Sequence, residues 1–127
     1  CGVGASDMLR TVLGFSATNN DLPIIAKGNA GIPKYNDGKI HYDGTPELMS
    51  QYATLAYDCG ATIIGGCCGT TPNHLSAMRE ALDGHVKGFS PKLETIVEAL
   101  GDFSSISDGT DDNTPTRKRQ NRRHLKI

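Results

Sequence analysis

The chain has 127 residues, enough for one ordinary domain but only about half of the roughly 250 that a (β/α)₈ barrel needs. Hydrophobic residues make up 37% and charged residues 21%, with 15 Gly, 6 Pro and no Trp, which excludes collagen, coiled-coil and membrane-spanning classes and fits a loop-rich soluble α/β protein. The net charge of −1 conceals a basic end: Arg117, Lys118, Arg119, Arg122, Arg123 and Lys126 are six of the 13 basic residues, and the preceding body holds 7 basic against 14 acidic.

In chain order, Gly and Ala around Val3 read as a loop, and Ser6 reads as the cap of a helix whose apolar period runs through Met8, Leu9, Val12, Leu13 and Phe15. A buried strand is predicted over 22–27, emptying into Gly28-Asn29-Ala30-Gly31-Ile32-Pro33, where glycines and proline forbid continuation. Residues 34–44 read as a polar, Gly-containing loop. Thr45-Pro46 starts a second helix, with a capping side chain ahead of proline at the first helical position, and the period holds to Gly60. A second buried strand over 61–64 ends in Gly65-Gly66-Cys67-Cys68-Gly69-Thr70. Thr71-Pro72 repeats the cap-plus-proline signal for a third helix reaching Gly84, and 91–100 has the period of a weaker fourth. Regular alternation with near-continuous apolar strands implies parallel strands buried on both faces. From about residue 104 the composition of Ser, Asp, Gly, Thr and Arg is that of a disordered basic tail, leaving 1–103 as the folded portion.

There is no secretory signal and no apolar run of about 18 residues, so a cytoplasmic address without membrane association is expected. The chain opens on Cys1 without an initiator Met, which reads as a piece of a longer protein. In that setting the neighbouring Cys67 and Cys68 suggest reactive or metal-bound thiols better than disulfides. In a straight strand two adjacent side chains point to opposite faces, so both can meet one target only if the backbone turns sharply, which the flanking glycines permit. Cys1 precedes the first helix by the same logic that puts Cys67 and Cys68 before the third. The 66 residues from Cys1 to Cys67 are about two βα units, which would bring three thiols to one rim of an α/β sheet. Three thiolates with an open fourth position suit a catalytic Zn²⁺ that binds a substrate thiol and leaves its sulfur nucleophilic. Against this, adjacent cysteines are also common as small buried residues, and Cys59 is expected to be simply packed.

At these residues the sequence resembles the homocysteine S-methyltransferase family. The resemblance rests on Gly65-Gly66-Cys67-Cys68-Gly69-Thr70 followed by Thr71-Pro72-Asn73-His74, on Gly28-Asn29-Ala30-Gly31-Ile32-Pro33, and on Cys1, in the family's order and spacing, and it covers roughly residues 1–84. It implies the C-terminal portion of a TIM (β/α)₈ barrel, from the end of strand six to helix eight, with Cys1, Cys67 and Cys68 as Zn²⁺ ligands. Homocysteine would take the fourth position, and the missing N-terminal half of the barrel would be a partner. The helix at 91–100 and the Arg-rich end look like extensions of bacterial betaine–homocysteine methyltransferases, whereas a cobalamin-dependent methionine synthase would continue into further domains. Betaine is therefore the expected methyl donor, with S-methylmethionine or methyltetrahydrofolate and cobalamin as alternatives.

Asn29, at the rim between the cysteine-bearing loops, is a candidate substrate-binding residue, against a purely turn-forming role for its loop. His74 is expected to cap or pack, and His41, His85 and His124 to lie in loops or tail without catalytic roles. Neither Gly-rich loop has the spacing of a phosphate cradle. The basic cluster is expected to be a solvated tail, nucleic-acid binding being disfavoured by the lack of interleaved aromatics. A homo-oligomer is compatible with the sequence, and a non-catalytic zinc or redox thiol module is the rival reading. Alone, the chain is expected to be inactive and aggregation-prone, because its strands lack neighbours.

Overall fold

Two short parallel strands hold the centre of the chain. The computed structural model describes residues 3–18, 21–31 and 33–105. Its elements are α1 (Ala5–Ser16), β1 (Ile25–Gly28), β2 (Lys34–Asn36), β3 (Lys39–His41), α2 (Pro46–Cys59), β4 (Ile63–Gly66), α3 (Pro72–Asp83) and α4 (Leu93–Leu100). β1 pairs with β4 in parallel, Ile25 opposite Ile63 and Gly28 opposite Gly66, so a crossover through α2 joins them. α1 and α2 pack against these two strands, α3 against α2, and α4 against α1 and α2. The result is a mixed α/β arrangement compatible with part of a barrel. Cys1, His124 and the basic cluster lie outside the described residues.

Local chemistry explains the helix boundaries. Thr45 Oγ1 accepts the Leu48 N–H at 3.2 Å, Pro46 opens α2, and Gly60 closes it in the left-handed conformation at φ 109°. The first helix corrects the expected cap: Gly4 occupies that position, its carbonyl accepting from Met8 N at 3.1 Å. Ser6 sits inside the first turn, and its hydroxyl donates instead to the Gly101 carbonyl at 2.7 Å, a contact across 95 residues that no local pattern encodes.

Leu9 and Val12 of α1, Ala26 of β1, Met49, Tyr52, Ala53 and Ala56 of α2, Met78 of α3 and Ile96 of α4 form one buried core. The weakest helix in the sequence is thus part of that core, and the chain beyond it stays tied to α1. Asp7 accepts the Ser104 N–H at 3.2 Å, and the Arg10 guanidinium lies 4.4 Å over the Phe103 ring.

The strands differ from expectation in three ways. They begin two to three residues later than 22–27 and 61–64, because the ladder forms where both chains are extended side by side and not where apolar residues are densest. They are also buried on one face only: Ala26 and Gly28 pack under the helices, while Ile25 is 58% and Ile63 51% exposed on the other. Among the described residues no second layer covers that face. Finally, the polar loop contains a hairpin, β2 with β3, whose Asp37 and Gly38 both have positive φ, 50° and 77°, as a type I′ turn requires. His41 therefore ends a strand and does not lie in a loop. Among the described residues no helix is long and apolar enough to cross a membrane.

Candidate functional site

Because β1 and β4 are parallel, their carboxyl ends share an edge, and the two Gly-rich loops meet there. The ladder runs one step past the strands, with Cys67 N–H donating to Gly28 O at 2.9 Å and Ala30 N–H to Cys68 O at 3.0 Å. Asn29, 4% exposed, joins three segments: its N–H donates to Val3 O at 2.9 Å, and its Oδ1 accepts the Cys68 N–H at 3.1 Å. Asn29 thus ties the loop after β1 to the loop after β4 and to Val3 ahead of α1.

A tight turn separates the two cysteines from simple strand alternation. Thr70 N–H donates to Cys67 O at 3.1 Å, and Gly69 has φ 77°, the left-handed value a type II turn needs at its third residue. The two Sγ atoms stand 4.0 Å apart. Two thiolates on one tetrahedral zinc at the usual Zn–S length would be about 3.8 Å apart, so this pair fits such an ion. Cys68 is an exposed free thiol, and Cys67 beside it is half-buried. Cys1, the third expected ligand, lies outside the described residues, and among those described no group of three His, Cys, Asp or Glu side chains gathers to hold a metal.

Sequence reasoning missed Tyr42. Its ring packs on the Gly69 backbone so closely that a Cβ there would overlap the ring. Burial, then the charge of Cys68 and a hydrogen bond with it, hold the phenol above its ordinary range. The signal was weak, a single aromatic between a hairpin and a helix cap. Behind the turn, Thr70 Oγ1 is buried without a hydrogen-bond partner among the described residues.

His74 caps and packs, as expected. Its Nδ1 accepts from the Thr71 N–H at 3.1 Å, and Nε2 lies 2.7 Å from Gly44 O. A carbonyl only accepts, so Nε2 carries the proton, and neither ring nitrogen remains for a metal. Tyr52 anchors the end of β1 by accepting the Gly28 N–H at 3.1 Å, and burial pushes its phenol up to about 12. Cys59 is buried at the other end of α2, where burial and then Asp58 push its thiol up to about 12. It belongs to the core and not to the site. His85 pairs with Asp58 at 2.9 Å, likewise away from the cysteine loops.

In comparison with known proteins, the sequence model of the family described as homocysteine S-methyltransferase matches residues 1–82. The methionine synthase of Mycobacterium leprae is 29% identical over 107 residues, which are 84% of this chain and 9% of that protein. The chain thus spans less than a tenth of that relative.

Proposed function

Because the chain belongs to the homocysteine S-methyltransferase family, we propose that the protein transfers a methyl group to the sulfur of homocysteine, giving methionine, at the loops that follow β1 and β4. The observation that supports this reading is the placement of Cys67 and Cys68, Sγ atoms 4.0 Å apart, at the carboxyl end of a parallel strand pair. In an α/β barrel that is where chemistry sits, and the uncovered face of Ile25 and Ile63 is the surface that further strands would close into the barrel interior.

In this proposal Cys1, Cys67 and Cys68 hold Zn²⁺. When bound there, the ion would supply a substrate thiol that is deprotonated at neutral pH yet still nucleophilic. The chain's own residues do the rest. The Cys67–Thr70 turn points two thiolates toward one place, Asn29 fixes the turn through the Cys68 N–H, and Tyr42 covers its outer side. The proposed donor is betaine, in keeping with the packed α4 extension beyond the matched residues. The sulfur lone pair forms the new S–CH₃ bond as the C–N bond breaks, and the electrons of that bond remain on nitrogen, so dimethylglycine leaves as a neutral amine. The thiol proton is lost before transfer, and no general base is required at the methyl-transfer step.

Assaying the full-length protein for methionine formed from homocysteine with betaine, S-methylmethionine or methyltetrahydrofolate tests both donor and reaction. Activity with betaine, and loss of both zinc and turnover in Cys67→Ser and Cys68→Ser, are the expected results. Full methyl transfer by a zinc-free protein or by Cys68→Ser would overturn the zinc assignment, and absence of methyl transfer from all three donors would leave a non-catalytic thiol module as the better description.

A further inference from the structure

We propose that Lys27 is the carboxylate-binding residue of this site, an inference that rests on the methyl-transfer reading above. Along β1, Ala26 and Gly28 face the helices, so alternation turns Ile25 and Lys27 to the uncovered face. Lys27 pairs in register with Gly65, which has no side chain; a Cβ there would meet Lys27 Cγ at 3.7 Å, so the lysine stem lies across the glycine. The same alternation along β4 runs from Ile63 through Gly65 to Cys67, whose N–H extends the ladder to Gly28 O. Lys27 and Cys67 therefore lie on one face of the sheet, one strand apart and two residues along, about 8 Å between Cα atoms by ordinary sheet spacing. A four-carbon stem can cross most of that gap.

Charge points to the ligand. Lys34, Arg10 and Arg79 pair with Asp43, Asp7 and Asp83, whereas among the described residues no carboxylate stands at ion-pair distance from Lys27, Lys39, Lys87 or Lys92, and of these four Lys27 is the one on the β1–β4 sheet. Its neighbours on that face are Ile25, Ile63 and Gly65. Lys27 is exposed on that face as it stands, and in the closed barrel of the proposed function its ammonium would lie against an apolar surface, where it needs an anionic partner. Both proposed substrates carry one: homocysteine has a thiol at one end and an α-carboxylate at the other, and betaine offers only its carboxylate for hydrogen bonding. Lys27 is a compact charge with three donors at the correct end of the sheet for either.

The test uses full-length protein with cobalt in place of zinc, in which thiol binding is read from the metal's absorption. Homocysteine is compared with 3-aminopropanethiol, which lacks the carboxylate, and betaine with choline on the homocysteine-loaded protein. Lys27→Gln is expected to weaken binding of one carboxylate compound roughly tenfold or more while leaving its carboxylate-free analogue unchanged, and Lys27→Arg to restore part of the loss. The arm that responds identifies whose carboxylate is held. Unchanged binding in both arms overturns the assignment while the methyl-transfer reading stands. If no thiol alters the wild-type spectrum, that reading itself fails, and the assignment with it.

Discussion

The side-chain oxygen of Asn29 accepts the backbone N–H of Cys68 at 3.1 Å, across 39 residues of sequence. Through this bond the loop after β1 sets the position of the loop after β4, and the same residue's N–H reaches back to Val3. Asn29→Ala leaves the Cys68 N–H without its acceptor. A loss of about 1–3 kcal/mol in stability and roughly 10- to 100-fold in zinc affinity is expected, with Asn29→Asp milder because it keeps an acceptor. Denaturant titration and competition with a chromophoric chelator measure the two; an Asn29→Ala protein that keeps both would show the bond to be incidental.

Gly69 and Tyr42 are a coupled pair. Gly69→Ala meets two obstacles, a left-handed φ that costs an L-residue about 1–2 kcal/mol and overlap with the Tyr42 ring. Tyr42→Ala in the Gly69→Ala background should remove the second obstacle and recover part of the stability. A double-mutant cycle in urea reads the coupling, and strict additivity would contradict the packing described.

His74→Ala removes the partner of Gly44 O and of the Thr71 N–H, both used to join the start of α3 to the start of α2. Stability is expected to fall by about 1–3 kcal/mol, while zinc stoichiometry stays that of the wild type because the imidazole has no free nitrogen. A fall in bound zinc per correctly folded chain would instead make His74 a ligand.

Cys59 makes alkaline stability pH-dependent. Its thiol rises from 9.0 to about 12 on folding because burial, then Asp58, disfavours the thiolate. The folded value is the higher one, so the contribution is complete below pH 9 and is lost as pH rises from 9 through about 12. Tyr52 shifts in the same direction from 10.0, so its share begins to fall about one unit later. Denaturation midpoints between pH 8 and 11 should decline less steeply in Cys59→Ala than in wild type. At pH 8.5 iodoacetamide should label exposed Cys68 well before Cys59 in the native protein, and equal rates would refute the burial argument.

The sequence by itself determined the helices and the chemistry near their starts. Thr45-Pro46 and Thr71-Pro72 state their caps locally, and the glycines around Cys67 and Cys68 announce a turn, because capping and left-handed backbone are properties of a few adjacent residues. The Asp37-Gly38 turn was equally local but was hidden by strands of only three residues with no buried side chain. Tertiary structure alone decided the rest: which residues of each apolar run enter the β1–β4 ladder, that Ser6 bonds Gly101 instead of capping α1, that Tyr42 covers Gly69, and that Lys27 shares a face with Cys67. These relations join segments far apart in the chain. They depend on how the elements pack, and no short window of sequence contains both partners.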